Sequence, residues 1–325
     1  MDMQDTTTLR VRDLNIWLGD RAQRRAIIED VSLDIRAGEV LCLVGESGSG
    51  KTLTGLAIMG MLEGGINFAG EVLFGGQNLL ALDETAMQRV RGNRLAMIFQ
   101  DPMMTLNPVL RVGTQVAETI RAHRRVSWAE AWREGCEALR LVGIPSPEER
   151  MRCYPHEFSG GMRQRVAIAI AFLHRPDLII ADEPTTALDV TTQSQILAQV
   201  QDLSAKFGTA FLWVTHDLAL AAGLADRIAV MYAGKIVETG TCFEVLSTPR
   251  HPYTKGLLNS VPTALEKGAR LAQIPGAIPS PGSIPSGCRF LPRCNRSTAQ
   301  CATDPVTDQT KSHQFRCWHP LEVSA

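Results

Sequence analysis

The sequence predicts an α/β fold built on a mainly parallel sheet, and three observations carry that prediction. Strand-like and helix-like stretches alternate through much of the chain, the pattern of helices crossing over between parallel strands. A glycine-rich run ending in Lys-Thr sits between an apolar run of strand length and a helix-like stretch. The 325 residues are 45% hydrophobic and 21% charged, ordinary globular usage that supports one large domain or two modest ones.

Taken in order, residues 1–40 read as strands with turns, because "TLRVRDLNIWLGD" and "IIEDVSLDIRAGE" alternate apolar and polar residues with a period near two. "EVLCLVG" is a compact apolar strand buried on both faces, and Thr52 to Met61 loses the alternation and reads as helix. From about Val112 to Val142 the chain is rich in Ala, Glu, Arg and Trp, which predicts amphipathic helices forming an inserted subdomain. Alternation then resumes. "MRQRVAIAIAFLHR" is helical, "DLIIAD" a strand, "TTQSQILAQVQDLSAKFG" helical, "AFLWVTH" a strand, "LALAAGLAD" helical and "RIAVMYAGKIVETG" a hairpin. After about His251 the composition shifts, and "IPGAIPSPGSIPSG" reads as a linker wrapped on a surface or leading to a small appendage.

The opening "MDMQDTTTLRVRD" carries no apolar stretch behind a basic leader, and no run of about 18 apolar residues occurs, so the expectation is a cytosolic chain. In that compartment the eight cysteines read as core residues or metal ligands, because thiols stay reduced there. A formal net charge of −1 gives no global reason to expect nucleic acid as partner.

"GESGSGKT" fits G-x-x-x-x-G-K-[ST] over Gly45, Glu46, Ser47, Gly48, Ser49, Gly50, Lys51 and Thr52. Glycines let main-chain N–H groups turn around phosphate oxygens, Lys51 supplies a cation for the β and γ phosphates, and Thr52 offers a hydroxyl to Mg²⁺. A phosphate cradle also needs a metal carboxylate and a group that activates water. "LIIADEP" ends a strand in Asp182, suited to the Mg²⁺ shell, and Glu183, suited to orienting or deprotonating the attacking water. Gln100 in "MIFQDP" and His216 in "FLWVTHD" follow other apolar runs, from which each side chain is of a type to sense the γ-phosphate.

"FSGGMRQR", Phe158 to Arg165, lies just before "LIIADEP" and resembles the signature sequence of ABC-type ATPases. The phosphate loop, Gln100, the signature, Asp182 with Glu183, "TALD" and His216 stand in that family's order, over about residues 9 to 325. The resemblance implies a P-loop NTPase fold of the ABC type: a RecA-like core with an antiparallel β subdomain, a helical subdomain at about 101–160, an ATPase domain over 1–250 and a cysteine-rich extension over 251–325. It implies that Ser159, Gly160, Gly161 and Met162 face ATP held by a second subunit, that Asp189 sits at that dimer interface, and that Mg²⁺ is held through Thr52, Gln100 and Asp182. Gln100 then couples the site to a membrane partner, and Trp17 is the adenine-stacking candidate, with Leu18 one residue away. Phe158 stands where leucine is usual and Met162 where glutamine is usual, although this form is that of the peptide-importer branch. "QDPMMTLNP" and "PRHPYTKGLLNSVP" followed by the Pro-rich run resemble ATPases of dipeptide, oligopeptide and nickel importers.

Near the C-terminus, Cys288, Cys294, Cys301 and Cys317 follow a Cys-x5-Cys-x6-Cys-x15-Cys spacing. Spacing alone leaves zinc, an iron–sulfur cluster and unliganded thiols open, since it matches neither a zinc ribbon nor the ferredoxin runs. Resemblance to peptide-importer ATPases with "GCRFLPRC" implies a four-iron four-sulfur cluster on these four positions. Cys42 lies inside "VLCLVG" and reads as core, and Cys136, Cys153 and Cys242, with no second cysteine nearby in sequence, read as ordinary structural residues.

The function implied is ATP hydrolysis powering import of dipeptides or oligopeptides. The partners implied are a second homologous ATPase, two transmembrane permeases and a periplasmic or surface substrate-binding protein, with no nucleic acid, and the place is the cytoplasmic face of a bacterial membrane. A soluble ABC-type factor acting on nucleic acid or ribosomes is the alternative. Such factors carry two cassettes or a long coiled coil, whereas this chain has one cassette and no sustained heptads. An ATP-binding scaffold without turnover is disfavoured by Glu183.

Overall fold

The structure is a computed structural model that describes residues 7–20, 24–186, 188–260, 273–307 and 312–322. The first six residues of the expected N-terminal strand region and Ala187 of "TALD" lie outside the described residues. Along the chain, the first half carries β1 (Thr7–Leu18), β2 (Arg25–Arg36), β3 (Val40–Val44), α1 (Lys51–Ile58), β4 (Ile66–Phe74), β5 (Gln77–Asn78), α2 (Glu84–Val90), β6 (Leu95–Ile98), α3 (Pro102–Thr105), α4 (Val112–His123), α5 (Trp128–Leu141) and α6 (Pro147–Arg150). There follow α7 (Gly160–Phe172), β7 (Leu178–Asp182), α8 (Val190–Phe207), β8 (Ala210–Thr215), α9 (Leu218–Leu224), β9 (Arg227–Tyr232), β10 (Lys235–Thr241), α10 (Cys242–Ser247), α11 (Pro252–Asn259) and β11 (Gln314–Phe315). Two compact units divide these elements.

The phosphate-loop unit comprises residues 9–34, 40–80 and 214–325. One of its sheets has the order β2-β1-β4-β5, with β1 and β4 antiparallel from Leu9 opposite Phe74 to Leu18 opposite Ile66. An irregularity between Arg12 and Asn15 shifts the register, and it changes which residues point inward: Leu9 and Val11 are buried before it, Leu14 and Ile16 after it. One extra residue in a strand swaps its faces. Gly70 on β4 sits opposite at φ +115°, where a Cβ would fall 2.5 Å from the Asp13 carbonyl oxygen. The second run of strands is β11-β10-β9-β3. β3, buried at all five positions, runs parallel to β9, while β9 and β10 form the expected antiparallel hairpin through Ala233 and Gly234, both at positive φ. Such a turn matches the natural twist of the strands.

The residues after β10 belong to this same unit. Buried Glu238 accepts from the main-chain N–H groups of Arg250 and His251 at 2.7 and 2.8 Å and lies 2.7 Å from His313 Nε2. β11 adds antiparallel to β10, and Phe290 packs among Tyr232, Tyr253 and His251 at ring separations of 5.2, 5.5 and 5.8 Å. An aromatic anchor and a buried carboxylate therefore hold a segment whose own regular structure is sparse.

The helical unit is built on residues 35–39 and 81–213. β6 and β7 run parallel from Leu95 opposite Leu178 to Ile98 opposite Ala181. α4 and α5 occupy the stretch expected as amphipathic helix, broken at Arg124–Ser127, where Ser127 caps α5 by accepting from the Glu130 N–H at 3.2 Å. Glycine at 113 permits close packing, since a Cβ there would meet the Trp132 ring at 2.6 Å. α7 is buried on most of its circumference, from Gln164 through Phe172, as a helix surrounded by other elements must be. β4, β5 and α2 are elements that the sequence pattern did not announce.

Candidate functional site

In the phosphate-loop unit, Gly45–Gly50 leave β3 and enter α1. Gly48 and Gly50 take φ of +80° and +106°, conformations that favour glycine. Gly45 is required by crowding, because a Cβ would lie 2.2 Å from the Met231 carbonyl oxygen. No side chain caps α1 and no acid occupies its first turn, so no carboxylate of that turn would repel an anion. Ser49 Oγ is buried without a hydrogen-bond partner, a group that a phosphate oxygen would satisfy. The Lys51 ammonium donates to the carbonyls of Gly45 and Glu46 at 2.8 and 3.1 Å, folded over the loop, and Thr52 is exposed on the first turn. These features fit the phosphates of a nucleoside triphosphate.

The helical unit gathers a second group. β7 is wholly buried and ends in Asp182, itself 4% exposed. Glu183 follows at φ +44°, a left-handed conformation that costs a non-glycine residue energy and is retained at functional positions. Two donors reach the same Glu183 oxygen, Oε2: Gln100 Nε2 at 3.4 Å and Thr186 Oγ1 at 3.1 Å. The sequence-predicted pair Gln100 and Glu183 is thus brought together, and Thr186 joins them without having been anticipated.

Ser159 caps α7, its hydroxyl accepting from the Met162 N–H at 3.3 Å. Asp189 caps α8, accepting from Thr192 N and Thr192 Oγ1 at 2.9 and 2.7 Å, and these hydrogen bonds hold its carboxyl below the usual range. The two caps adjoin: a Cβ on Gly161 would meet Thr192 Cγ2 at 2.7 Å, and one on Gly160 would meet Leu188 at 3.7 Å. Gly160 and Gly161 therefore lie against Leu188 and Thr192, with Gly161 small because the start of α8 lies against it.

His216 is exposed at the end of β8, followed by Asp217, which caps α9 through the N–H groups of Ala219 and Leu220. Trp17 is half-buried on β1 with the Arg24 guanidinium 4.3 Å from its ring centre, and the neighbouring Leu18 is 40% exposed.

Residues 28–186 match the family model for ABC transporters, and residues 237–301 match the oligopeptide/dipeptide transporter C-terminal region. The oligopeptide transport ATP-binding protein OppD of Escherichia coli K12 is 43% identical over 98% of this chain and 95% of its own length. The protein of the same name from Bacillus subtilis 168 is 50% identical over 97% of this chain and 90% of its own. The chain belongs to the ABC transporter ATP-binding proteins of the oligopeptide/dipeptide type. An ATP-binding cassette solved as a dimer in a post-hydrolysis state with ADP and Pi is 26% identical, with a TM-score of 0.64, over 72% of this chain and 98% of that one. The fold is accordingly that of an ABC ATPase, α/β with mixed sheets. A transporter-type match over the tail leaves the soluble-factor alternative without support.

In this ABC ATPase, Cys288, Cys294, Cys301 and Cys317 line one cavity together with Trp318 and His319. Burial, then the neighbouring Cys288, Cys294 and Cys301, push the Cys317 thiol up to about 11, and burial also raises Cys288 and Cys294. Among the described residues, no group of three or more His, Cys, Asp or Glu side chains is arranged to hold a metal ion. Cys42, on β3, is buried in the core. Residues that sequence reasoning missed are Thr186, Glu238, Tyr253, Arg289 and Arg293. Thr186 is only three residues from its partner Glu183 but belongs to no phosphate-site pattern, whereas the roles of Arg289 and Arg293 depend on partners far away in sequence.

Proposed function

We propose that this chain hydrolyses ATP to power import of dipeptides or oligopeptides, as one of two related ATPase subunits that close on ATP and act on two permeases fed by a substrate-binding protein. The observation that carries the reading is the match to oligopeptide transport ATP-binding proteins along nearly the whole chain, tail included. A peripheral position on the cytoplasmic face of the membrane accords with the finding that, among the described residues, no helix is long and apolar enough to cross a membrane.

Each residue then has a part. Gly45–Gly50 wrap the phosphates with main-chain donors, and Lys51 moves from its loop carbonyls to the β and γ phosphates. Asp182, Gln100 and Thr52 are the groups suited to Mg²⁺, which draws charge from the phosphates when bound. Glu183 orients the attacking water and takes its proton, while Gln100 and Thr186 hold the carboxylate in position. His216 faces the γ-phosphate, and Trp17 offers its ring to adenine. Ser159, Gly160, Gly161 and Met162 present a helix N-terminus to ATP held by the second subunit, with Asp189 beside them.

The cysteine cavity is proposed to hold a four-iron four-sulfur cluster on Cys288, Cys294, Cys301 and Cys317, in keeping with their shared lining of one space. Anaerobic purification of the tagged chain from native membranes, with mass spectrometry of copurifying proteins and iron and sulfide analysis, tests the whole reading. Two polytopic permeases and a second ATPase are expected. Ribosomal or nucleic-acid partners without a permease would sink it.

A further inference from the structure

Two arginines of the C-R-F-L-P-R-C run are almost wholly buried, and the hydrolysis chemistry uses neither. Arg293 is 7% exposed. Its Nη1 and Nη2 donate to the two carboxylate oxygens of Glu46 at 2.7 and 3.0 Å. Its Nε donates to the Pro275 carbonyl at 2.8 Å, and Nη2 also reaches the Ile274 carbonyl at 3.3 Å. Glu46 is the second residue of the phosphate loop, and its main-chain N–H donates to Tyr253 Oη at 2.9 Å. Residues from beyond β10 therefore hold both the peptide and the side chain of this loop residue. Arg289 makes a second, indirect strut. It donates to the Ala233 carbonyl and pairs with Glu29, and the adjacent Gly234 donates its N–H to the Ser49 carbonyl at 2.8 Å.

A carboxylate in a loop that binds a triphosphate is an electrostatic liability unless a cation neutralises it. Burying a guanidinium is itself costly, and a side chain needed only to attach the tail would be better apolar. The bidentate fork, which fixes direction as well as charge, stands where loop shape matters most. We infer that Arg293 is a positioning residue for the phosphate loop: from the C-terminal tail it neutralises and pins Glu46, setting the loop for MgATP. The inference rests on the reading of Gly45–Thr52 as the ATP site. It also joins two regions that sequence treats as separable, because Arg289 and Arg293 are the immediate neighbours of Cys288 and Cys294.

The test is MgATP affinity of the full chain, read by titration with a fluorescent ATP analogue. The proteins compared are wild type, Lys51→Ala, Arg293→Ala, Arg293→Lys, Glu46→Gln and the Arg293→Ala/Glu46→Gln double variant. Arg293→Ala is expected to weaken binding about tenfold, or about 1.4 kcal/mol. Arg293→Lys should fall between it and wild type, since one ammonium replaces a fork. Adding Glu46→Gln to Arg293→Ala should recover much of the loss by removing the unpaired charge, and additive losses in the double variant would overturn the inference. Should Arg293→Ala fail to fold, Arg293→Lys with and without Glu46→Gln carries the same comparison. Wild-type affinity in the Arg293 variants, alongside lost binding in Lys51→Ala, overturns the brace alone; wild-type affinity in Lys51→Ala overturns the ATP-site reading beneath it.

Discussion

Replacing Glu183 with glutamine separates the chemistry of this ATPase from its architecture. Both donors on Glu183 Oε2, Gln100 Nε2 at 3.4 Å and Thr186 Oγ1 at 3.1 Å, find an acceptor in an amide oxygen, so the side chain of nearly equal volume keeps its place. What disappears is the ability to take a proton. A positioned general base contributes roughly 10²- to 10⁴-fold, which corresponds to about 3–5 kcal/mol of barrier. Phosphate release by the assembled transporter should fall by that factor while MgATP affinity stays within about twofold of wild type, on the same scale of reasoning. Thr186→Val supplies an internal calibration. It removes one hydrogen bond to the carboxylate and leaves the base, so its cost should be several-fold and stay below about tenfold. If Glu183→Gln retains more than about a tenth of wild-type turnover, Glu183 is not the base. If Thr186→Val is as damaging as Glu183→Gln, the hydroxyl has a direct part in the reaction that its contact with the carboxylate does not explain.

Gly45→Ala should abolish MgATP binding as measured by the same titration, because the new methyl would lie 2.2 Å from the Met231 carbonyl oxygen and the backbone must shift to admit it. Asp189→Ala removes the α8 cap and should lower the thermal midpoint at neutral pH. Hydrogen bonds from Thr192 depress the Asp189 carboxyl, so its contribution is present above the ordinary carboxylate range and vanishes as pH falls through the depressed value; the wild-type and variant midpoints should converge there. Cys317→Ser should lower iron and sulfide per chain in anaerobically prepared protein, and unchanged content would remove the cluster from this cavity.

Much of this was legible in the sequence because the signals are local. The phosphate loop compresses its glycines, lysine and threonine into eight residues, and the strand-to-helix context is readable on either side. Helices α4 and α5 announce themselves by period, and the β9–β10 hairpin by two strands around Ala233-Gly234. The bulge in β1 was harder to see. Its apolar residues at 9, 11, 14 and 16 change parity midway, so a strict period-two test scores them poorly, although both halves bury one face of the same strand. Gly161 was read as part of a nucleotide-facing motif, yet its smallness also answers to Thr192 on the next helix. Local spacing cannot distinguish those demands.

The tail marks where such reading stops. Four cysteines attract attention as a set, and the residues between them look like spacers. The arginines are in fact the ones that leave the cysteine segment, and their partners lie 247 and 260 residues earlier, at Glu46 and Glu29. No periodicity or spacing links positions so far apart, because the link is made by tertiary structure: Phe290 inserts against Tyr232 and Tyr253 and thereby fixes the turn from which Arg289 and Arg293 project. Viewed this way, the C-R-F-L-P-R-C run has three jobs. Its cysteines face a shared cavity, its phenylalanine anchors in the aromatic core, and its arginines reach the phosphate loop and the turn behind it. The residue beside Cys294 is thus hydrogen-bonded through both terminal guanidinium nitrogens to the second residue of the phosphate loop.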